Sequence, residues 1–402
     1  MISSIELFSG AGGLALGLHQ AGFSHKALLE VDEDSCETIR ANVLLGFPGI
    51  ENWKISQTDV RAVNYADFGP DVQAVSGGPP CQPFSLGGKH KANADSRDMF
   101  PEAVRAIREL CPQAFIFENV KGLMRKSFSP YFNYILLQLS YPEITAGEND
   151  GWIEHLGRLE RHHTSNSHAG LGYNVTFRLL NAADYGVPQN RYRVVIVGFR
   201  DDLDVRWSFP EPTHSKESLM YSKFADGSYW EEHQIASKNR SQVSTKERGE
   251  IIRLFEEKEH GERWQTVRDA IKGLPDPQNS AVPEYANHEF RAGARPYAGH
   301  SGSSMDEPSK TIKAGVHGVP GGENMLALDN GSLRYYTVRE SARIQTFPDK
   351  YIFLGSWSES MRQIGNAVPV RLAAIIGKSV ADKVERLKEF ESQRELSNYK
   401  TV

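Results

Sequence analysis

Ser76-Gly77-Gly78-Pro79-Pro80-Cys81-Gln82-Pro83-Phe84-Ser85 sets one cysteine in a segment whose two glycines and two prolines impose an unusual backbone. A structural cysteine normally sits in an apolar run, so this placement points to a reactive thiol. Lys89, His90, Lys91 and Arg97 follow among glycines. Nearby positive charge favours the thiolate, which is the nucleophilic form. Glu118 comes straight after the apolar run Phe115-Ile116-Phe117. Partial desolvation there raises a carboxyl pKa and suits Glu118 to act as an acid. Asn119 is expected to cap a following helix. In Pro188-Gln189-Asn190-Arg191-Tyr192-Arg193, an extended chain puts Gln189, Arg191 and Arg193 on one face. That face offers an amide and two guanidiniums to oxygen atoms. The same alternation also describes an edge strand with a solvated charged face.

A second chemistry is written nearer the start. Glu6-Leu7-Phe8-Ser9-Gly10-Ala11-Gly12-Gly13-Leu14 joins a strand to a helix through small residues. Glycines let the backbone approach a ligand closely, and a helix N-terminus offers free N–H groups to an anion. The spacing G-x-G-G departs from the G-x-G-x-x-G of dinucleotide sites. Glu30 ends the second strand, where an acid can take ribose hydroxyls, and Asp59 ends the third, where it can accept from an adenine amino group. Together they suit an adenosine-containing ligand that carries a carboxylate. A tight turn beside two surface acids is the plainer alternative. No cysteine or histidine set has zinc spacing, and His155, His162, His163 and His168 lack an accompanying ligand pattern, so no metal is expected.

These residues need a scaffold that brings strand ends together. Strands are expected at Ser4–Phe8, Lys26–Val31, Lys54–Thr58, Asp71–Ser76 and Ala114–Phe117, with helices at Leu14–Ala21 and Asp32–Leu45. Such alternation predicts an α/β fold, a parallel sheet with helices on both faces. Its active site lies at the C-terminal ends of the strands. Val175–Leu180 and Arg193–Phe199 read as closing strands joined by a turn-rich segment. Residues 201–333 are polar and rich in Gly, Pro, Ser and His, with one clear helix near Thr245–Glu262, and read as a second, irregular domain. Helical patterning returns over 334–402, and residues 140–171 read as an insertion.

The chain has 402 residues, long enough for two domains with a sizeable core. A formal charge of −5 argues against coating nucleic acid by bulk attraction, but allows a basic cleft on an acidic body. Three scattered cysteines do not make a disulfide framework and fit a reducing compartment. No signal peptide and no membrane-spanning run are expected.

Taken in order, ELFSGAGG, GGPPCQPFS, FENV, PQNRYR, RESARIQTFP (Arg339–Pro348) and QIGNAVP (Gln363–Pro369) resemble the cytosine-C5 DNA methyltransferase family. The resemblance spans residues 4–200 and 334–377; the stretch between matches only in position, as that family's target recognition domain. It implies a Rossmann-like S-adenosylmethionine-dependent sheet in a discontinuous catalytic domain, 1–200 plus 334–402, with the recognition domain at 201–333. It implies that Cys81 attacks C6 of a flipped cytosine, that Glu118 holds N3 and the amino group, that Arg193 binds O2, and that Arg191, with Gln189, supports the loop and base.

For the cofactor it implies Phe8, Gly10, Gly12, Gly13, Leu14, Glu30, Val31, Asp59, Val60, Pro80, Met99, Asn366, Ala367 and Val368. Val31 stands where the family often has a bulkier residue. Lys89, Lys91, Arg97, Arg291, Arg295, Lys310 and Lys313 are candidate DNA contacts, with residues 286–320 favoured as the reading segment. Double-stranded DNA is the implied partner, with a restriction endonuclease paired functionally and no membrane. A monomer in a prokaryotic cytoplasm is expected. The alternatives are a tRNA cytosine methyltransferase of the same fold, an inactive DNA-binding regulator, and a nicotinamide dehydrogenase. The last leaves the cysteine loop unexplained.

Overall fold

Seven strands hydrogen-bond into one sheet: β1 (Ile2–Leu7), β2 (Phe23–Glu30), β3 (Ile55–Gln57), β4 (Ala74–Gly77), β5 (Ala114–Val120), β6 (Tyr173–Asn181) and β7 (Tyr192–Arg200). Their order is β3-β2-β1-β4-β5-β7-β6. The computed structural model describes residues 1–80, 98–165, 170–257, 259–279, 285–296, 301–314 and 324–399, with side chains to residue 387. The sheet is parallel except for β7, which runs antiparallel to both β5 and β6. This refines the parallel sheet expected: the short link from β6 to β7 cannot make the long crossover that parallel neighbours need.

Side-chain alternation along the strands splits the core in two. Ile116, Val195 and Val197 face α1 (Gly13–Gln20) and α12 (Val370–Tyr399). Phe115, Phe117, Val194 and Ile196 face α3 (Phe100–Leu110) and α4 (Ser129–Ser140). α2 (Glu33–Leu44) forms where a helix was expected and opens on acids, with Asp32 as N-cap accepting from the Ser35 N–H at 2.9 Å. α1 and α12 touch through Gly17, where a Cβ would meet Ala373 Cβ and the Val370 carbonyl oxygen at 2.4 Å.

The run Trp357–Leu387 is long and apolar enough by composition to cross a membrane, which corrects the expectation of no such run. It forms α11 (Trp357–Asn366) and then α12, and 61% of its most apolar window is buried inside the protein. Burial of that order is the signature of a core helix.

Residues 201–333 hold more helix than the one expected. α6 (Lys216–Phe224), α7 (Ser228–Glu232) and α9 (Val267–Ile271) accompany α8 (Thr245–Glu256). α7 and α9 are five residues each, too short for periodicity to reveal. Their stabilisation is local and tertiary: a Thr266–Asp269 capping box opens α9, and Tyr229 and Trp230 of α7 bury against Leu219. The insertion contains α5 (Trp152–Thr164), tied down by His155, which bonds the Tyr134 hydroxyl at 2.8 Å and the Ile144 carbonyl at 2.7 Å.

One buried acid stands out in β1. Glu6 is fully buried; one oxygen accepts from the Ser76 hydroxyl on β4 at 3.0 Å, and the other has no hydrogen-bond partner among the described residues. Burial pushes its carboxyl up to about 8. Between the ordinary carboxylate range and pH 8, the unfolded chain therefore releases a proton that the folded one keeps. Stability falls as pH rises through that window, by on the order of 4 kcal/mol. Glu6→Gln should abolish this loss. Urea unfolding at pH 5 and pH 8 measures it, and an equal pH response in variant and wild type would exclude Glu6 as its source.

Candidate active site

The C-terminal ends of β1, β2, β4 and β5, the start of β7 and the α11–α12 junction enclose one cavity of about 470 Å³. Phe8, Gly10 and Gly12 adopt positive φ values of 55°, 51° and 82°, which turn β1 into α1 beside it. Glu30 holds this turn. One of its oxygens accepts from Gly10 N–H at 2.7 Å and the other from Val31 and Asp32 N–H at 2.9 Å. A carboxylate has about four acceptor sites, so one lone pair remains for a ligand hydroxyl. Gly13 is required by close approach: a Cβ there would meet the Val368 carbonyl oxygen at 2.5 Å and Ala367 Cβ at 3.0 Å.

The lining unites Phe8, Gly10, Gly13, Leu14, Glu30, Val31, Pro80, Glu118, Arg193, Asn366, Ala367 and Val368. Glu118 and Arg193, on neighbouring strands, form a mostly buried ion pair. Glu118 is mostly buried, as its sequence context suggested, and it also faces a guanidinium that this context did not announce. Val31 is 64% exposed, leaving that side of the cavity open.

Cys81, Lys89, Lys91 and Arg97 lie outside the described residues, as do His168 and His300. The base of their segment is described: Met99 N–H bonds the Pro80 carbonyl at 3.0 Å. Asn119 corrects the expected helix cap. It stays within β5, and its amide donates to the Pro79 carbonyl at 2.9 Å, fixing the entry to the cysteine segment.

Other expectations separate from the cavity. Gln189 and Arg191 do not join Arg193 in an oxygen-binding face, because they precede β7 and pair with a different partner, Ser309 of the second region bridging Gln189. Arg191 is fully buried and donates to the carbonyls of Ile312 (3.1 Å), Gly365 (2.7 Å) and Ala367 (2.9 Å). Gln189 accepts from Ile312 N–H at 3.1 Å and donates to Gln345 at 3.0 Å. Gln345 in turn donates to the Ile364 carbonyl at 2.7 Å. Both residues thus position the Asn366–Val368 wall rather than touch the cavity.

Asp59 is committed to Arg61, by an ion pair and by capping a short turn, and does not line the cavity. Val60 and Met99 are core residues and Gly12 caps α1; none lines the cavity. Arg291, Arg295, Lys310 and Lys313 are all exposed, and Arg291 lies over the Trp357 ring at 5.4 Å.

Sequence reasoning missed Asp32 and Arg362, which pair across the cavity rim at 2.7 Å. Burial pushes the Asp32 carboxyl up, but hydrogen bonds from Ser35 and Arg362 outweigh it and hold the group below its ordinary value. Asp32 stood in the sequence only as the first residue of an expected helix; nothing local joined it to a residue 330 positions away.

The architecture is that of solved methyltransferases. A methyltransferase from Schizosaccharomyces pombe, Dnmt2, superposes with a TM-score of 0.55 at 18% identity over 96% of this chain and 99% of its own. The Entamoeba histolytica methyltransferase EhMeth does so with a TM-score of 0.56 at 12% identity, covering 95% of this chain and 98% of its own.

Residues 2–141 and 151–382 match the C-5 cytosine-specific DNA methylases, and the chain belongs to that family. Among its relatives, the Type II methyltransferase M.PspPI of Psychrobacter sp. is 32% identical over 94% of this chain and 78% of its own length. M.NgoMIV of Neisseria gonorrhoeae is 30% identical over 96% of this chain and 98% of its own. Only the nine residues 142–150 interrupt the family match, inside the expected insertion.

Proposed function

We propose that the chain transfers a methyl group from S-adenosylmethionine to C5 of a cytosine flipped from duplex DNA, by way of a covalent bond between Cys81 and C6. The observation that carries this reading is the single cavity joining the glycine turn, Glu30 and Asn366–Val368 to the Glu118–Arg193 pair, beside the entry to the cysteine segment. The residues fit the cofactor. Gly10 faces open space that a side chain would fill, the start of α1 offers N–H groups to a carboxylate, and Glu30 keeps an acceptor for ribose. When bound, S-adenosylmethionine supplies an electrophilic methyl group.

The protein's part is to make C5 nucleophilic. The Cys81 thiolate forms a bond to C6, and the ring takes up the electron pair. Arg193 holds the charge at O2, and Glu118 holds N3 and the amino group. C5 then accepts the methyl group. Loss of the C5 proton to solvent drives out the thiolate and restores the ring double bond. Flipping costs about a few kcal/mol, which contacts to the rest of the duplex must offset.

We assign residues 201–333 to target recognition and 1–200 plus 334–402 to catalysis. Arg291, Arg295, Lys310 and Lys313, exposed as they are, serve as candidate DNA contacts. The kinship with Type II methyltransferases supports a functional pairing with a restriction endonuclease in a prokaryotic cytoplasm.

Bisulfite sequencing of DNA from cells expressing the chain should show protected cytosines at one short recurring sequence. Unprotected DNA, together with C5 methylation of tRNA, would replace this reading with the tRNA one.

A further inference from the structure

Several of the protein's arginines are committed to carboxylates. Arg105, Arg263, Arg268, Arg334, Arg343 and Arg362 each bind a carboxylate. Lys121, Arg125 and Lys126 do not: all three are exposed, and none forms an ion pair or side-chain hydrogen bond among the described residues. They follow β5 on two short 3-10 turns, Lys121–Met124 and Lys126–Phe128. The Lys121 ammonium sits over the Tyr192 ring, 4.5 Å from its centroid. Tyr192 is 41% exposed and Val120 50%, unusual for large apolar side chains so close to a core.

The position of this patch gives it meaning. Val120 and Arg193 both line the cavity and are register partners on β5 and β7. Lys121 and Tyr192 are their immediate neighbours and stand at the cavity's outer rim, with Arg125 and Lys126 following within six residues of Val120. A base that enters from a duplex draws its own backbone to that rim, since the sugar and flanking phosphates remain attached and cannot follow it inside. The rim must then meet negative charge at fixed spacing, beside exposed sugar and base faces.

We propose that Lys121, Arg125, Lys126 and Tyr192 form the docking surface for the phosphodiester backbone of the strand whose base enters the cavity. The cations neutralise phosphates flanking the flipped nucleotide, and Tyr192 holds the Lys121 ammonium in place while covering a sugar. None of these four residues belongs to the 286–320 segment or to the candidate contacts Lys89, Lys91 and Arg97, and the proposal rests on the function proposed above.

The test replaces all three cations (Lys121→Gln, Arg125→Gln, Lys126→Gln) in the full chain and measures duplex affinity across a salt series, using a duplex that carries the mapped target. Three lost phosphate contacts should reduce the slope of log affinity against log salt by about 2–3 and weaken low-salt binding at least about tenfold. Cofactor affinity should stay unchanged, as should the rate at saturating DNA. A second duplex carries uncharged methylphosphonate linkages on either side of the target cytosine. It should bind wild type more weakly than the ordinary duplex, whereas the triple variant should not distinguish the two. Tyr192→Phe should behave as wild type and Tyr192→Ala should lose affinity.

An unchanged slope in the variant, with wild type methylating normally, overturns the surface and leaves the proposed function standing. The same holds if wild type ignores the methylphosphonates, an outcome that would fit an acidic protein partner instead. A wild-type enzyme that neither binds nor methylates duplex DNA overturns both.

Discussion

Cys81→Ser should lower methyl transfer by roughly 10⁴-fold or more while duplex and cofactor binding persist. A hydroxyl in that position is barely ionised at neutral pH and is a poor nucleophile, so the covalent step fails although every recognition contact remains. The measurement pairs a methyl-incorporation assay with separate titrations of duplex and cofactor. Wild type and variant should also differ on duplex containing 5-fluorocytosine. In wild type the C5 fluorine cannot leave as a proton does, so the adduct stays trapped; in the variant no adduct forms. Substantial turnover by Cys81→Ser, or an adduct mapped to Cys36 or Cys111, would remove Cys81 from the mechanism. Those two cysteines already look unsuited to it. Burial pushes the Cys36 thiol up to about 12 and raises that of Cys111 as well, so neither is poised as a thiolate.

Arg191→Leu should destabilise the protein by roughly 3–5 kcal/mol and weaken cofactor binding in parallel. The substitution strips three buried carbonyls of a donor, two of which, on Gly365 and Ala367, belong to the wall that closes over the glycine turn. Arg191→Lys should recover only part of the loss, because an ammonium cannot reach three carbonyls in the geometry of a guanidinium fork. Thermal unfolding and a cofactor titration read both effects. A stable Arg191→Leu protein with normal cofactor affinity and no methyl transfer would instead place Arg191 at the base, as its sequence context first suggested.

The contrast between Arg191 and Arg193 shows where the sequence was readable. Glycines after a strand, acids at strand ends and a carboxylate after an apolar run are local signals, and Gly10, Gly13, Glu30 and Glu118, which carry them, all line the cavity. Arg193 was legible because it lies in β7, where side-chain alternation holds. Gln189 and Arg191 lie just before that strand, and their partners are Ile312, Gln345 and Gly365, more than 120 residues away. No local pattern encodes such a partner. Asp59 lies outside the cavity lining for a different reason: its strand end was legible, but a cation two residues on binds the carboxylate. In residues 201–333 short helices are set by caps and by a small aromatic cluster, which leave little periodic trace.

The close contact at Gly13 also imposes an order of events on the cell. The cradle is formed by residues 10–14 on one side and 366–368 on the other, some 350 positions later in synthesis. At roughly 5–20 residues per second, the first half waits tens of seconds for its complement. Until then α1 lacks the partner that buries its Gly17 face, and the glycine turn has no wall. On the proposed function, the nascent chain therefore emerges unable to hold a methyl donor, and competence arrives in one late step. If the proposed pairing with a restriction endonuclease holds, protection of a newly entered cell's unmarked DNA lags translation by at least that interval.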